Sequence, residues 1–146
     1  MEGGLMKATK ETEGEIRAIF QRLTGAYERR NIEEFLACFA SDDDVVLYGT
    51  GADEKRIGLE QIRAQVERDW AQTESISMTF TWVSISAAGS VAWAAIDGAF
   101  NFRANGQDET LPARVSFVLE RRDDGWSIVH SHFSTPSQTQ DEGQSF

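Results

Sequence analysis

Apolar residues recur at helical spacing through the first half of the chain and alternate with polar ones through most of the second. Ile16, Ile19, Phe20, Leu23 and Tyr27 fall on one face of a 3.6-residue period and predict an amphipathic helix from about Thr12 to Arg30. Asn31 then reads as an N-cap, with Glu34 three residues on able to reach back to it. The short helix it starts buries Phe35, Leu36 and Phe39 and stops near "ASDDD". That acidic run lacks the alternating ligand spacing of a calcium loop and reads as a solvated turn. "VVLYG" is a short strand. Leu59, Ile62, Val66 and Trp70 mark a third helix, and only strands follow it.

Those strands are long: "SISMTFTWVSIS", "SVAWAAIDGAFNFR", "TLPARVSFVLERR" and "GWSIVHSHFS". Asn105-Gly106 is a strong two-residue hairpin signal, and Asp123 to Gly125 suits a three-residue turn with a left-handed glycine. The turns set the register. Pairing Ala104 with Gln107 puts Asp97 opposite Arg114, Ala95 opposite Ser116 and Trp93 opposite Val118. Pairing Arg122 with Trp126 puts Val118 opposite His130 and Ser116 opposite His132. One sheet face then carries Trp93, Asp97, Arg114, Ser116, Val118, Trp126, Ile128, His130 and His132. The other carries Ile96, Phe100, Leu111, Ala113, Val115, Phe117, Leu119, Val129, Ser131 and Phe133. Helices need an apolar sheet face to cover, so they belong on the second.

Composition narrows the function classes. The 146 residues suffice for one domain with a real core. We expect a flexible stretch over 1–11, a single domain over 12–136 and a polar, disordered tail over 137–146. The net charge of −10 argues against nucleic acid or an anionic membrane as partner. Cys38 is the single cysteine, so an internal disulfide and a cysteine-based zinc site are excluded. No apolar run near the N-terminus reads as a signal peptide, and no segment approaches a membrane span. A cytoplasmic location and no cofactor are expected. No internal repeat is visible.

Helices followed by a curved antiparallel sheet define an α+β chain, and three stretches carry a resemblance. "YERRNIEEFLACFASDDDVVLYG", "GLEQIRAQVERDW" and "RRDDGWSIVHSHFS" resemble the cone-shaped nuclear transport factor 2-like fold in its SnoaL-like branch, from about Glu13 to Pro136. The last stretch resembles the closing strand of the calmodulin-dependent kinase association domain, with Trp126, Val129, His130, His132 and Ser134 matching. That superfamily includes isomerases, dehydratases, polyketide cyclases, transport factors and oligomerisation hubs, so the resemblance implies a fold and leaves the function open. Aligned with ketosteroid isomerases of this fold, the catalytic tyrosine position falls on Leu23, the base on Leu47 and the sheet aspartate on Phe117. None of these can donate to a dienolate or carry a proton, so that activity is not expected. A one-residue shift would put Tyr48 at the base position.

The resemblance implies a cone interior lined by Phe100, Phe117, Val129 and Phe133, with Ser131 offering a hydroxyl and Tyr27, Tyr48 and Trp70 at the mouth. Either these rings fill the core, or they stop short and leave room for a small apolar or aromatic molecule. The histidine face has its own alternatives. Asp97, Arg114, His130 and His132 can be read as a proton relay. Two histidines at i, i+2 fall short of a metal-ligand set. A face mixing Trp93, Arg114, Val118, Trp126, Ile128, His130 and His132 also fits a subunit seam, and the resemblance implies a homodimer through that face. Three functions stay open: a homodimeric small-molecule-binding protein, with or without an isomerase, dehydratase or cyclase reaction; an association module; and a hydrolase-like enzyme using the histidine pair.

Overall fold

The computed structural model describes residues 6–123 and 125–146. Helix α1 (Lys10–Arg29) starts two residues before the expected position because Thr9 caps it, its side chain accepting from the Thr12 N–H. It ends where Arg30 turns left-handed and returns its N–H to the carbonyls of Ala26 and Tyr27. Asn31 caps α2 (Ile32–Leu36), its side-chain oxygen accepting from the Glu34 N–H at 3.1 Å. The Asn31 backbone N–H is already taken by the Ala26 carbonyl, so Glu34 accepts from the Asn31 side-chain amide instead.

Then come β1 (Val46–Tyr48), β2 (Lys55–Ile57), α3 (Leu59–Ala71), β3 (Ser75–Ala88), β4 (Val91–Ala104), β5 (Gln107–Arg122) and β6 (Gly125–Ser134). They form one sheet in the order β2-β1-β6-β5-β4-β3, antiparallel except where β1 runs parallel to β6. The β2 strand was not legible in the sequence. At three residues, two of them charged, it shows no alternation to read.

The β4–β5 register is the one that Asn105-Gly106 dictates. Both residues have positive φ, 53° and 76°, as a type I′ hairpin requires, and Asp97 lies opposite Arg114. The β5–β6 register agrees at Val118↔His130 and Ser116↔His132 but not at the turn. Arg122 pairs with Gly125 and Arg121 with Trp126. The turn expected over Asp123 to Gly125 includes Asp124, which lies outside the described residues; Gly125 has a φ of 111°. One extra residue, Val129, stands between the Leu119↔Ile128 and Val118↔His130 pairs. This bulge reverses the facing of everything before it. Trp126 and Ile128 therefore sit on the helix-covered face, 9% and 0% exposed, a correction to the face assigned from the sequence. The Trp126 indole N–H donates to Glu15 on α1.

A second bulge separates Phe80 from Trp82 on β3. It lets Met78 and Val83 both turn inward while Trp82, 55% exposed, turns out. Gly98 on β4 lies against this bulge, and a Cβ there would stand 2.2 Å from the Thr79 carbonyl oxygen. Backbone cannot yield as a side chain does. Gly98→Ala is expected to cost about 1–3 kcal/mol, read from the denaturation midpoint. An unchanged midpoint would mean that the strands do not approach so closely.

The helices cover the apolar face, and the core between them includes Ile16, Leu23, Ile62, Phe117, Leu119 and Ile128. Phe117 stacks on Phe20 at 5.0 Å and meets Phe133 edge-on at 5.7 Å. Cys38 is buried here, and burial pushes its thiol up to about 11, which suits a packing residue better than a nucleophile. Among the described residues no helix is long and apolar enough to cross a membrane.

Candidate functional site

The apolar layer is not filled everywhere. Where α1, α2 and α3 diverge from the sheet, a concavity of about 130 Å³ remains, closed on one side by the β1–β2 connection. Phe35, Leu47, Val66, Met78, Phe100, Phe102, Leu111 and Phe133 are among its apolar walls. The polar side chains that line it are Tyr27, Thr50, Glu54, Gln65 and Asp69.

A single hydrogen-bond network orients Tyr27, Glu54, Gln65 and Asp69. The Tyr27 hydroxyl donates to Asp69 Oδ2 at 2.7 Å, and Gln65 Nε2 donates to Asp69 Oδ1 at 2.9 Å. The Gln65 amide is held that way round because its oxygen accepts from Arg56 Nε at 3.0 Å. Arg68 joins the β1–β2 connection to α3, pairing with Asp53 at 2.9 Å and Glu54 at 3.2 Å. The Trp70 indole N–H donates to the Tyr27 carbonyl and steadies the end of α1.

Burial raises the Asp69 pKa above the usual carboxylate range; the Tyr27 and Gln65 hydrogen bonds oppose that shift, and the Glu54 charge adds to it. Burial and the neighbouring Asp69 together keep the Tyr27 phenol protonated far above its ordinary range. Tyr27 is thus a fixed donor and Asp69 a carboxyl group that holds its proton more tightly than an exposed one. A raised folded-state pKa contributes stability at pH values below the unfolded value of 3.8, and loses it as pH rises through the folded value. The stability difference between wild type and Asp69→Asn should therefore move in favour of Asn as pH rises through that window. Unfolding free energies of both proteins across pH 3–8 test this, and a constant difference would mean that Asp69 titrates normally.

Of the residues expected at the cone interior, Tyr27, Phe100 and Phe133 line the concavity. Phe117 and Ser131 are wholly buried in the packed core, and Trp70 acts through its bond to Tyr27. Val129 occupies the bulge and is half-buried. Tyr48 does not reach the mouth. Parallel pairing sets Leu47 beside Ser131 and Tyr48 beside His132, so strand alternation sends Leu47 inward and Tyr48 to the outer face. Tyr48 lies on His132 there, with ring centroids 5.1 Å apart. Of the isomerase-equivalent positions, Leu23 and Phe117 are sealed in the core and Leu47 is an apolar wall.

Gln65 and Asp69 were missed in the sequence, although a signal exists. Ile62, Gln65, Val66, Asp69 and Trp70 form one stripe at i, i+3, i+4 spacing, and its two polar members interrupt an otherwise apolar helix face.

On the outer face, Trp82, Asp97, Arg114, Ser116 and His132 border a shallow hollow of about 300 Å³. His130 stands outside it. Asp97 and Arg114 are cross-strand neighbours, yet they are not among the ion pairs within 4.0 Å of the described residues. Trp93 and Val118 on this face are half-buried. Among the described residues no group of three or more His, Cys, Asp or Glu is placed to hold a metal ion.

The comparisons agree with this architecture. The SnoaL-like domain family matches residues 16–138, and the chain belongs to that family, with the α+β cone of the nuclear transport factor 2-like superfamily. No curated protein matches the chain. Among solved structures it is similar to an NTF2-like superfamily protein from Salmonella enterica serovar Typhimurium, with a TM-score of 0.82 and 22% identity over 94% of this chain and 99% of that one. It is similar to a "putative dehydratase" from Streptomyces avermitilis, at 0.79 and 17% over 88% and 99%. It is also similar to a "putative calcium/calmodulin dependent protein kinase II association domain" from Xanthomonas campestris, at 0.77 and 24% over 95% and 99%.

Proposed function

We propose that this protein is a homodimer that binds a small, largely apolar molecule in the concavity, anchoring its one polar group at Tyr27 and Asp69. The carrying observation is the 2.7 Å bond between a protonated phenol and a half-buried carboxyl group at the wall of a largely apolar space. An engineered apolar cavity of about 150 Å³ binds benzene, so the 130 Å³ here suits a ligand body of one ring. The pair also suits proton transfer, since Asp69 can take a proton and, once neutral, release the one Tyr27 O–H to turn and donate to a developing oxyanion. A structural neighbour named as a "putative dehydratase" fits that chemistry, because dehydration needs one group to take a proton and another to assist the departing hydroxyl.

Ligand-observed NMR with phenol, cyclohexanone and benzylamine tests the site. At least one should bind the wild type and be lost in Leu111→Trp, which fills the concavity from β5. Binding that survives the filling, or no binding at all, would overturn the reading.

The homodimer rests on the outer face. It exposes Tyr48 beside His130 and His132, and Trp82 across a hollow from His132, and among the described residues no helix covers it. A neighbour named as an association domain points the same way. Light scattering should give twice the 16.3 kDa chain mass, and Trp82→Glu with Val118→Glu should halve it while the fold persists. A wild-type monomer at micromolar concentration would remove the seam.

A further inference from the structure

Resting on that reading of the concavity, we infer that its ligand is a small organic cation: an ammonium group on an apolar body about one ring in size. The walls carry the first part of the argument. Tyr27 lies 5.8 Å from Phe35 and 6.3 Å from Phe100, and Phe100 lies 5.9 Å from Phe133, all between ring centroids. These rings surround one space, and aromatic faces carry the negative end of the ring quadrupole, which attracts cations.

Charge carries the second part. Asp69 and Glu54 line the concavity, and no Lys, Arg or His is among the described residues that do. Both hydrogen-bond partners of Asp69, the Tyr27 hydroxyl and the Gln65 amide, are neutral. The nearby guanidinium groups are engaged elsewhere. Arg68 holds Asp53 and Glu54, Arg56 holds the Gln65 oxygen, and Arg30 holds the carbonyls of Trp70 and Thr73. An ionised Asp69 is therefore a half-buried charge whose hydrogen-bond partners are neutral and whose Arg68 counter-charge is shared with Asp53 and Glu54, an arrangement that a bound cation improves. A neutral ligand would leave it as it is. An anion would meet Asp69, Glu54 and a chain of net charge −10.

The three probes benzylamine, benzyl alcohol and benzoate share a ring and differ in charge. Titrated calorimetrically into the full-length protein at pH 7, benzylamine should bind at least tenfold more tightly than benzyl alcohol, and benzoate more weakly than either. In Asp69→Asn the preference for amine over alcohol should fall to within about threefold. In Leu111→Trp, which keeps every charge, all binding should be lost. Benzyl alcohol binding as tightly as benzylamine would overturn the cation and leave the site standing. Failure of all three probes to bind would overturn both. Amine binding that survives Leu111→Trp would mean capture by the acidic surface, and would overturn the inference as well.

Discussion

Phe117→Ala is expected to lower the unfolding free energy by about 3–5 kcal/mol, among the larger costs that a single truncation exacts. Phe117 is fully buried at the centre of β5 and touches rings from three directions: Phe20 on α1, Phe80 on β3 and Phe133 on β6. Truncation removes its transfer free energy and leaves a void that helix and sheet can only partly close. The stacked Phe20 also loses its partner, and such ring pairs contribute beyond area burial. Urea denaturation measures the loss. A cost below about 1 kcal/mol would mean that the ring borders open space and belongs to the concavity.

The second large effect tests the bulge. Ile128→Ala is expected to cost about 2–5 kcal/mol, and Ile128→Lys to cost more by placing an uncompensated ammonium in the core. Ile128 has no exposure, and its backbone is held on both sides, its N–H by the Cys38 carbonyl and its carbonyl by the Ala40 N–H. Simple alternation from His130 would put the same side chain on the outer face, where lysine is harmless to the folded subunit. Val118→Lys supplies the contrast, since Val118 does lie on that face. It should leave the subunit folded and disturb only its association. Equal tolerance of both lysines would mean that β6 has no bulge and that the face assigned from the sequence holds.

How much of this was legible depends on the range of the interactions. Helix α2 was readable because Asn31 and Glu34 satisfy each other within a single turn. The β4–β5 pairing was readable because two positive-φ residues at 105 and 106 permit one hairpin, which propagates its register along both strands. The fold class and the apolar face of the sheet follow from such local rules.

The site was less legible because its parts come from distant elements. Tyr27 and Asp69 are 42 residues apart and meet only when α1 and α3 pack on the same sheet. Tyr48 looked equally suited to the interior, and the decision fell to the parallel pairing of β1 with β6. The bulge at Val129 carries no local signature; it absorbs the one-residue mismatch between the pairing of Arg122 with Gly125 and that of Val118 with His130. Hydrophobic spacing and turn chemistry act over a few residues, so sequence alone determined the helices, the long strands and which side of β4 and β5 is buried. Which side chains share the concavity, and which way Trp126, Ile128 and Tyr48 face, was decided only by the assembled sheet, because one inserted residue reverses strand parity and contacts across the core have no imprint in local pattern.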